Sequence, residues 1–492
     1  MKRVALAVSL VVGLGCEEGA RFGSWNVARA PHPPWTTPAA ASASTSEDAF
    51  PATRPGLTPS LPFDLPAVRA TTLANGVRVV TVERHTLPIA VVRVVVARGA
   101  TGAPPGVAAL TAAGLLEGTK WSTALAVHQR FAEMGATATT AASYDAVTID
   151  VKVPAPNLRA ALDLVADMLR GPTFPDDRIE LVKSRSLADL AHRTSRPQRV
   201  AASQQDSLLY PPGHPYHEPV EGSEGAIRQV GRADIERFWQ AAGVPLLTSF
   251  IVAGDIDDGR TLGMLRRLVE DWSGFAPVTL PALPPAVTAA GPRLVLVDQG
   301  DAPQCAVSLG WLVADRESED IPALRALAAT LAQGTLGRLG KLLRVDRSET
   351  YGVHAALVPR AGASEFLVTT SIERDSTADA LREALAEIER VRAQPLESGA
   401  PNANALFRDV VWQSFETSDD LVAALTGPVL RRDPIDRLRA RLLAPATVGP
   451  EEVQRVASKY LTSESRRIVV VGDVSRIRPA LQALGLGEIS VR

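Results

Sequence analysis

The sequence predicts an α+β fold of two homologous domains, each an antiparallel sheet with helices packed on one face. Three observations support this prediction. Short apolar runs typical of strands alternate with segments in which apolar residues recur every three or four positions. The second half of the chain repeats patterns of the first half in the same order. A proline-rich stretch at residues 277–292 separates the two halves and is predicted to be a linker.

Strands and helices are both predicted from local patterns. Residues 73–82 (LANGVRVVTV) alternate around an Asn-Gly pair, which indicates a hairpin. Residues 89–97 form a β-branched run typical of a buried strand. Residues 158–170 have helical periodicity, as do residues 380–391 of the second half. A sheet covered by helices on one face is the simplest way to bury these apolar surfaces.

The internal repeat consists of paired segments with similar residue patterns and nearly constant separation. The pairs are residues 89–100 with 304–315, 250–257 with 468–474, and 233–239 with 451–457. Such a repeat is expected of a duplicated domain. We therefore place the two domains at residues 67–276 and 293–492.

The N-terminal residues indicate export. A basic start and a short apolar run precede small residues and Cys16, which is the architecture of a secretory signal peptide at residues 1–16. This run is too short to span a membrane. Residues 13–16 (GLGC) resemble a bacterial lipobox, in which Cys16 carries the lipid; the alternative is an ordinary signal peptide that contains a cysteine. We expect an exported, periplasmic protein, attached to a bacterial membrane through a lipid anchor.

The composition limits the other possibilities. Residues 17–66 are rich in Pro, Ala, Ser and Thr and lack hydrophobic periodicity, so they are predicted to be a disordered tether. The 52 basic and 54 acidic residues give a formal net charge of −2, which offers no field for nucleic acid. The second cysteine, Cys305, lies in an apolar segment and is predicted to be a buried small hydrophobe rather than half of a disulfide.

Residues 106–119 (GVAALTAAGLLEGT) are similar to the signature helix of the pitrilysin/insulinase-type zinc metallopeptidases. The family's inverted H-x-x-E-H motif places two histidines on one helix face, where they hold zinc, and a glutamate that activates water. Ala109, Ala112 and Ala113 occupy the three motif positions. Alanine has neither a lone pair nor a basic group. The chain is therefore predicted to be a non-catalytic member that binds no zinc at this position.

The resemblance extends over about residues 67–492 and implies that two α+β halves form a clam-like chamber. Residues 142–153 (ASYDAVTIDVKV) resemble the family strand that lines the cleft and pairs with extended substrate, and residues 210–216 (YPPGHPY) match a recurrent loop. The family's third zinc ligand is a glutamate on a helix expected at residues 185–197. Asp189 is the nearest carboxylate there, and a solubilising role on the surface explains it equally well.

Residues 334–351 (GTLGRLGKLLRVDRSETY) resemble a family segment that carries a spaced arginine and tyrosine. Arg344 and Tyr351 fall on those positions, although Val345 replaces the usual glutamate. In catalytic members this pair comes from the domain opposite the zinc and contacts the substrate carbonyl near the scissile bond, where it stabilises developing negative charge. The resemblance implies substrate binding by Arg344 and Tyr351; the alternative is an exposed arginine and a tyrosine packed in the core.

A further cluster of metal-binding residue types overlaps the end of the recurrent loop. His214 and His217 have Glu218 and Glu221 nearby, a set that could bind metal. The spacing of these residues is not specific for a metal site. Loops rich in proline also commonly expose histidines and glutamates. We expect no cofactor in the chain itself.

The resemblance leads to a functional hypothesis. The chain is a non-catalytic subunit of an exported zinc metallopeptidase and supplies its arginine and tyrosine to a zinc-bearing homologous partner that cleaves extended peptides. Some bacterial enzymes of the processing-peptidase branch are heterodimers of this kind. One alternative is a stand-alone peptide-binding or structural scaffold, similar to the non-catalytic core subunits of respiratory complexes, which grips a peptide by strand addition. Another is an active hydrolase with a relocated zinc.

Overall fold

The computed structural model describes residues 66–274, 283–284, 290–395, 415–434, 437, 440–441 and 444–492. The predicted signal peptide with Cys16, nearly all of the predicted tether and most of the predicted linker lie outside the described residues. The described residues form one compact unit that contains both halves of the chain.

The first half contributes a six-stranded sheet. Its strands are β1 (Val68–Thr72), β2 (Arg78–Glu83), β3 (Ile89–Val96), β6 (Thr137–Ala142), β7 (Val147–Pro154) and β8 (Thr248–Gly254), and β4 (Gly118–Thr119) and β5 (Ser122–Thr123) form a separate short hairpin. The spatial order is β1-β2-β8-β3-β7-β6. Only the β2–β8 pair is parallel among these described strands.

The second half contributes an equivalent sheet. Its strands are β9 (Leu294–Asp298), β10 (Gln304–Leu312), β11 (Thr350–Val358), β12 (Glu365–Glu373), β13 (Arg467–Gly472) and β14 (Ile489–Val491). The spatial order is β11-β12-β10-β13-β9-β14, with β9 parallel to both of its neighbours. The β10–β12, β10–β13 and β11–β12 pairs are antiparallel.

Helices surround both sheets. Those of the first half are α1 (Val107–Gly114), α2 (Ala124–Glu133), α3 (Leu158–Arg170), α4 (Asp176–Thr194), α5 (Pro197–Leu209), α6 (Glu224–Gln229), α7 (Arg232–Ala242) and α8 (Asp258–Val269). Those of the second half are α9 (Ile321–Ala332), α10 (Thr377–Ala393), α11 (Ser418–Leu430), α12 (Pro450–Tyr460) and α13 (Val474–Ala483). The α+β prediction is confirmed. Among the described residues, no helix combines the length and the apolar character that crossing a membrane would require.

The predicted repeat coincides with equivalent positions in the two sheets. β3 lies between β7 and β8, and β10 lies between β12 and β13, so each is flanked by one strand of a hairpin (β6–β7 or β11–β12) and by a late strand of its half (β8 or β13). α7 and α12 precede these late strands in the chain. The paired sequence segments therefore form the central strands and the helices that lead into them, which is the arrangement a duplicated domain produces.

Helices cover each sheet on both faces, whereas the sequence predicted helices on one face. Helices of the same half pack on one face. On the other face, α11 of the second half packs against β3 and β8, and α5 of the first half packs against β10 and β13. Every residue of β8 and of β13 is buried, so both faces of these central strands are apolar and require cover.

The predicted hairpin around the Asn-Gly pair is present, with β1 and β2 antiparallel. Gly76 has a φ of +92°, a backbone conformation that favours glycine. The amide Nδ2 of Asn75 donates a hydrogen bond of 2.6 Å to the carbonyl of Val269, at the end of α8. The turn is therefore tied to the helical layer as well as to the sheet.

Candidate functional site

α1 carries the three alanines of the motif positions. Ala112 is buried, whereas Ala109 and Ala113, which are one turn apart, are partly exposed. The helix packs against α4, α7, β6 and β7. The side chains at the three positions are methyl groups, so the residues present do not fit a zinc ion, which takes nitrogen, sulfur or carboxylate ligands.

Gly106 makes the tight entry into α1 possible. Its φ is +82°, in the left-handed region that favours glycine. A Cβ at this position would lie 3.1 Å from the backbone oxygen of Glu221, so the next loop leaves little room for a side chain. One turn into the helix, the hydroxyl of Thr111 donates a 2.7 Å hydrogen bond to the carbonyl of Val107. The local sequence therefore preserves the shape of this helix without its metal-binding side chains.

The helix expected to carry a third metal ligand is divided between the end of α4 and the start of α5. Asp189 is exposed on α4, in agreement with a surface role. A different carboxylate links α4 to the α1 segment. Glu117 is buried and accepts hydrogen bonds from Arg178 Nε at 2.8 Å and Arg185 Nη1 at 3.0 Å. Sequence reasoning missed Glu117, although a charged residue inside the apolar stretch LLEGT signals a buried ion pair.

The strand that offers an open edge beside α1 is not the one predicted. Residues 142–153 form the hairpin turn and most of β7, and β7 is paired on both sides, with β3 and β6. Within the described residues, the edge strand on the α1 side of the sheet is β6, which contacts α1. The prediction was wrong by one strand because the apolar pattern of β7 reflects its interior position, whereas β6 is made of Thr and Ala and gives a weak signal.

Arg344 and Tyr351 are both exposed to solvent. The helical turn Arg338–Gly340 continues as a π-helical turn, Lys341–Asp346, that carries Arg344, and Tyr351 lies at the start of β11 with 85% of its surface exposed. In the part of the chain that the structure describes, neither side chain makes a hydrogen bond or an ion pair. π-Helical turns are rare and are frequent at functional sites. Tyr351 is therefore not the core residue of the alternative interpretation.

A β-bulge turns Tyr351 outward. The register between β11 and β12 shifts between Thr350 and Val353. The hydroxyls of Thr350 and Thr370 lie 2.8 Å apart, and each donates to the carbonyl of Gly352, at 3.0 and 2.9 Å. Bulges of this kind redirect a side chain and are common next to active sites. The two threonines therefore hold the backbone that presents Tyr351.

Tyr351 also borders a cavity of about 490 Å³ between α5 and the strands β10, β11 and β12. Its described lining combines small apolar residues, hydroxyl groups and basic or amide side chains: Gln198, Arg199, Ala201, Ala202, Ala306, Val307, Thr350, Gly352, His354, Thr369, Thr370 and Ser371. The amide of Gln198 donates a 2.9 Å hydrogen bond to the Ser371 hydroxyl across the cavity. The first half of the chain thus forms one wall and the second half the other.

The three predicted motif positions and the Arg344/Tyr351 pair lie in different surroundings. α1 packs mainly within the first half, against α4 and α7. The π-helical turn packs mainly against β11 and against helices of the second half. Among the described elements, α1 and the π-helical turn therefore have different main packing partners.

The two histidines of the candidate metal cluster have local structural partners. His214 is buried and stacks on Tyr210 with ring centroids 4.8 Å apart, and its Nδ1 accepts a 3.1 Å hydrogen bond from the backbone N–H of Tyr216. Burial lowers the pKa of His214. His217 Nδ1 lies 2.8 Å from the backbone oxygen of Tyr210. Both rings therefore help to fold the loop at residues 210–216.

The two glutamates of that cluster also have other partners. Glu221 forms an ion pair with Arg193, and the backbone oxygen of Glu218 accepts a 2.9 Å hydrogen bond from the Tyr144 hydroxyl. Over the residues that the structure describes, no group of three or more His, Cys, Asp or Glu side chains is arranged to hold a metal ion.

A polar cluster, the junction cluster, joins the two halves through Tyr144, Asp206, Tyr216, Arg360 and Glu365. The Arg360 guanidinium lies 4.3 Å from the ring centroid of Tyr144, and Arg360 Nε donates a 2.9 Å hydrogen bond to Glu365 Oε1. Burial raises the pKa of Tyr216 to about 12. Burial and the nearby charge of Glu365 raise the pKa of Asp206 to about 8. This cluster binds the halves together and is distinct from the cavity beside Tyr351.

Comparison with known families agrees with this architecture. The family model described as Insulinase (Peptidase family M16) matches residues 78–210, and the model described as Peptidase M16 inactive domain matches residues 229–399. The chain belongs to the M16 insulinase family. The first match lies within the first half of the chain. The second match begins near the end of the first half and covers much of the second half.

Curated relatives include proteins from two species of Mycobacterium. An uncharacterized zinc protease of Mycobacterium tuberculosis is 28% identical over 354 residues, which cover 70% of this chain and 78% of the relative. An uncharacterized zinc protease of Mycobacterium leprae is 27% identical over 296 residues, 58% of this chain and 65% of the relative.

Solved structures share the fold. A peptidase M16 inactive domain from Pseudomonas fluorescens superposes with a TM-score of 0.71 at 23% identity and covers 82% of this chain and 98% of its own. A protease from Helicobacter pylori superposes with a TM-score of 0.77 at 19% identity and covers 83% and 100%. At these identities the likeness concerns the fold alone, and it confirms the two-domain clam-like prediction.

Proposed function

We propose that this M16 protein is a non-catalytic subunit of an exported, lipid-anchored zinc metallopeptidase. In this proposal a homologous partner carries the zinc, and this chain contributes Arg344 and Tyr351 to the cleavage of extended peptides. The observation that supports it most is the contrast between the two halves. The motif positions on α1 are alanines, whereas the arginine and tyrosine of the second half are present and exposed.

The exposure of this pair is consistent with a role at a site completed by another chain. A guanidinium and a phenol that have no hydrogen-bond partner among the described residues are free to donate to an external acceptor. If the acceptor is the carbonyl next to the scissile bond, the two groups stabilise the negative charge that develops on its oxygen. The association of the subunits would also hold substrate, donors and metal in one geometry.

The proposal is tested by recovering the complex from the native host. Affinity purification from the membrane fraction is expected to bring down a homologue that carries the H-x-x-E-H motif. Peptidase activity of the complex is then measured with the double variant R344Q/Y351F, for which we expect a loss of about 100-fold or more in kcat, the typical cost of one lost donor to a developing oxyanion.

The matched control is Arg260→Gln, which replaces an exposed arginine on α8. This variant is expected to keep full activity in the complex. Recovery of the chain without any metal-bearing homologue, or full activity of the double variant, would refute the proposal.

A stand-alone peptide-binding scaffold is the second candidate. It is favoured by the open edge of β11 and the cavity beside it, which are present in the single chain. Peptide binding by the purified chain, combined with purification from the host without a second subunit, would support this function instead.

A further inference from the structure

β11 has an open side. Within the described residues it pairs only with β12, so its other row of backbone N–H and C=O groups has no strand partner. Tyr351, His354 and Ala356 are exposed along it. An unpaired edge of this kind accepts an extended peptide as an additional strand.

The cavity beside β11 has an apolar floor and polar walls. Ala201, Ala306 and Val307 are almost fully buried and form the apolar part. Thr369 and Ser371 place hydroxyl groups on the wall formed by β12. Such a cavity suits a side chain with a short apolar stem and a polar head.

The polar groups of this cavity favour a negative charge. Arg199 and His354 line it, and none of its described lining residues is an aspartate or a glutamate. In the described part of the chain, neither Arg199 nor His354 forms an ion pair or a hydrogen bond through its side chain. The guanidinium of Arg199 thus has a planar set of donors, which match a carboxylate, and no carboxylate partner.

We propose that the cavity binds the carboxylate side chain of an acidic residue in an extended peptide that lies along β11. Alternate residues of an added strand point to the same face, so one residue of the peptide enters the cavity while its neighbours point away. Tyr351 borders the same cavity. The inference rests on the proposed function and deepens it, because it names peptides with an acidic residue close to the Tyr351 contact as the substrate class.

The test measures binding of labelled peptides by the purified full chain without any second subunit. The probes are fluorescein-labelled, amidated octapeptides of alternating Thr and Val with a central Glu, Gln or Lys, and binding is measured by fluorescence anisotropy. We expect the Glu peptide to bind at least about tenfold more tightly than the Gln peptide, because a hydrogen bond to a charged group is worth about that factor. The Lys peptide is expected to bind more weakly than both.

Variants assign the preference to the cavity. Arg199→Gln is expected to reduce the Glu-over-Gln preference to less than twofold, and Arg260→Gln, the matched exposed control, is expected to retain it. A Glu peptide with N-methyl groups on alternate backbone nitrogens is expected to lose binding, because it cannot pair with β11. Thermal unfolding of both variants checks that they fold as the wild-type chain does.

Several outcomes would overturn the inference: equal affinity for the Glu and Gln peptides, a preference that survives Arg199→Gln, or no binding of any probe. A Gln peptide with a free C-terminal carboxylate that binds as tightly as the amidated Glu peptide would also overturn it, since the chain end would then be the ligand. The assay contains no zinc-bearing subunit, so its failure is distinguishable from failure of the subunit proposal, which the activity of the complex tests.

Discussion

Glu117 follows the helix whose metal-binding positions are alanines, and it connects that segment to α4. Its carboxylate is 3% exposed and accepts hydrogen bonds from Arg178 and Arg185. An ion pair therefore connects the segment just after α1 to α4.

Replacement of Glu117 by glutamine is expected to destabilise the chain by about 2 kcal/mol. Loss of one member of a buried ion pair typically costs about 3 to 5 kcal/mol. We expect a smaller effect because the side chain of Arg185 is 58% exposed and water can solvate it. The free energy of unfolding is measured by urea denaturation.

The control for this prediction is Glu224→Gln, in an exposed pair with Arg228 on α6. Its expected effect is below about 0.5 kcal/mol. A result in which both variants lose the same small amount would show that Glu117 does not hold α1 to α4.

At the scale of elements, one helix from each half of the chain packs against the sheet of the other half. α11 packs its apolar side against the first sheet, and α5 packs against the second. Gly310 of β10 permits the close approach of α5, because a Cβ there would overlap the side-chain amide of Gln205. Because each sheet is covered in part by a helix of the other half, we expect the stability of each half to depend on that helix.

Leu425→Ala is expected to lower the free energy of unfolding by about 3 kcal/mol, because it removes a buried leucine from the contact of α11 with the first sheet. The matched control is Leu125→Ala, since Leu125 is 66% exposed on α2. That variant should change stability by less than about 0.5 kcal/mol. Urea denaturation of the two variants side by side makes the comparison, and similar losses would contradict the role of α11.

At the scale of the whole molecule, the two halves are joined by polar contacts as well as by exchanged helices. Arg316 forms a 2.7 Å ion pair with Asp145, and the hydroxyl of Tyr210 donates a 3.1 Å hydrogen bond to the carbonyl of Ala363. The junction cluster adds Asp206. Burial and the negative charges of Glu365 and Glu221 raise the pKa of Asp206 to about 8. We therefore expect the stability of the contact between the halves to depend on pH.

The contribution of Asp206 to stability is expected to decrease as the pH rises from about 4 to about 8. Because the pKa of Asp206 is raised in the folded chain, we expect the folded chain to keep the proton in this range and the unfolded chain to release it near pH 4. Asp206→Asn cannot titrate, so its stability relative to the wild type should increase by at least about 1 kcal/mol between pH 5 and pH 8.

Unfolding in urea at a series of pH values measures this effect. Asp189→Asn, at an exposed carboxylate of α4, serves as the control and should follow the wild type at every pH. A constant difference between Asp206→Asn and the wild type from pH 5 to pH 8 would show that Asp206 does not titrate as proposed.

Much of the fold could be predicted because its signals are local. The helix at residues 158–170 and the buried strand that begins at residue 89 appear where periodicity places them. The edge strand was missed because β6, with its Thr and Ala residues, has no strong pattern. Glu117 was missed because its partners, Arg178 and Arg185, are distant in sequence.

The resemblance of particular segments predicted the family, and local periodicity predicted the α+β fold. The residue types at Ala109, Ala112 and Ala113 alone show that these positions offer no metal-binding side chain. Each of these predictions could be made from short stretches of sequence. Only the folded chain shows that α5 and α11 each pack on the sheet of the opposite half. It also shows that Arg199 and Tyr351 line the same cavity. These features depend on contacts between residues far apart in sequence, and no single segment carries the information that specifies them.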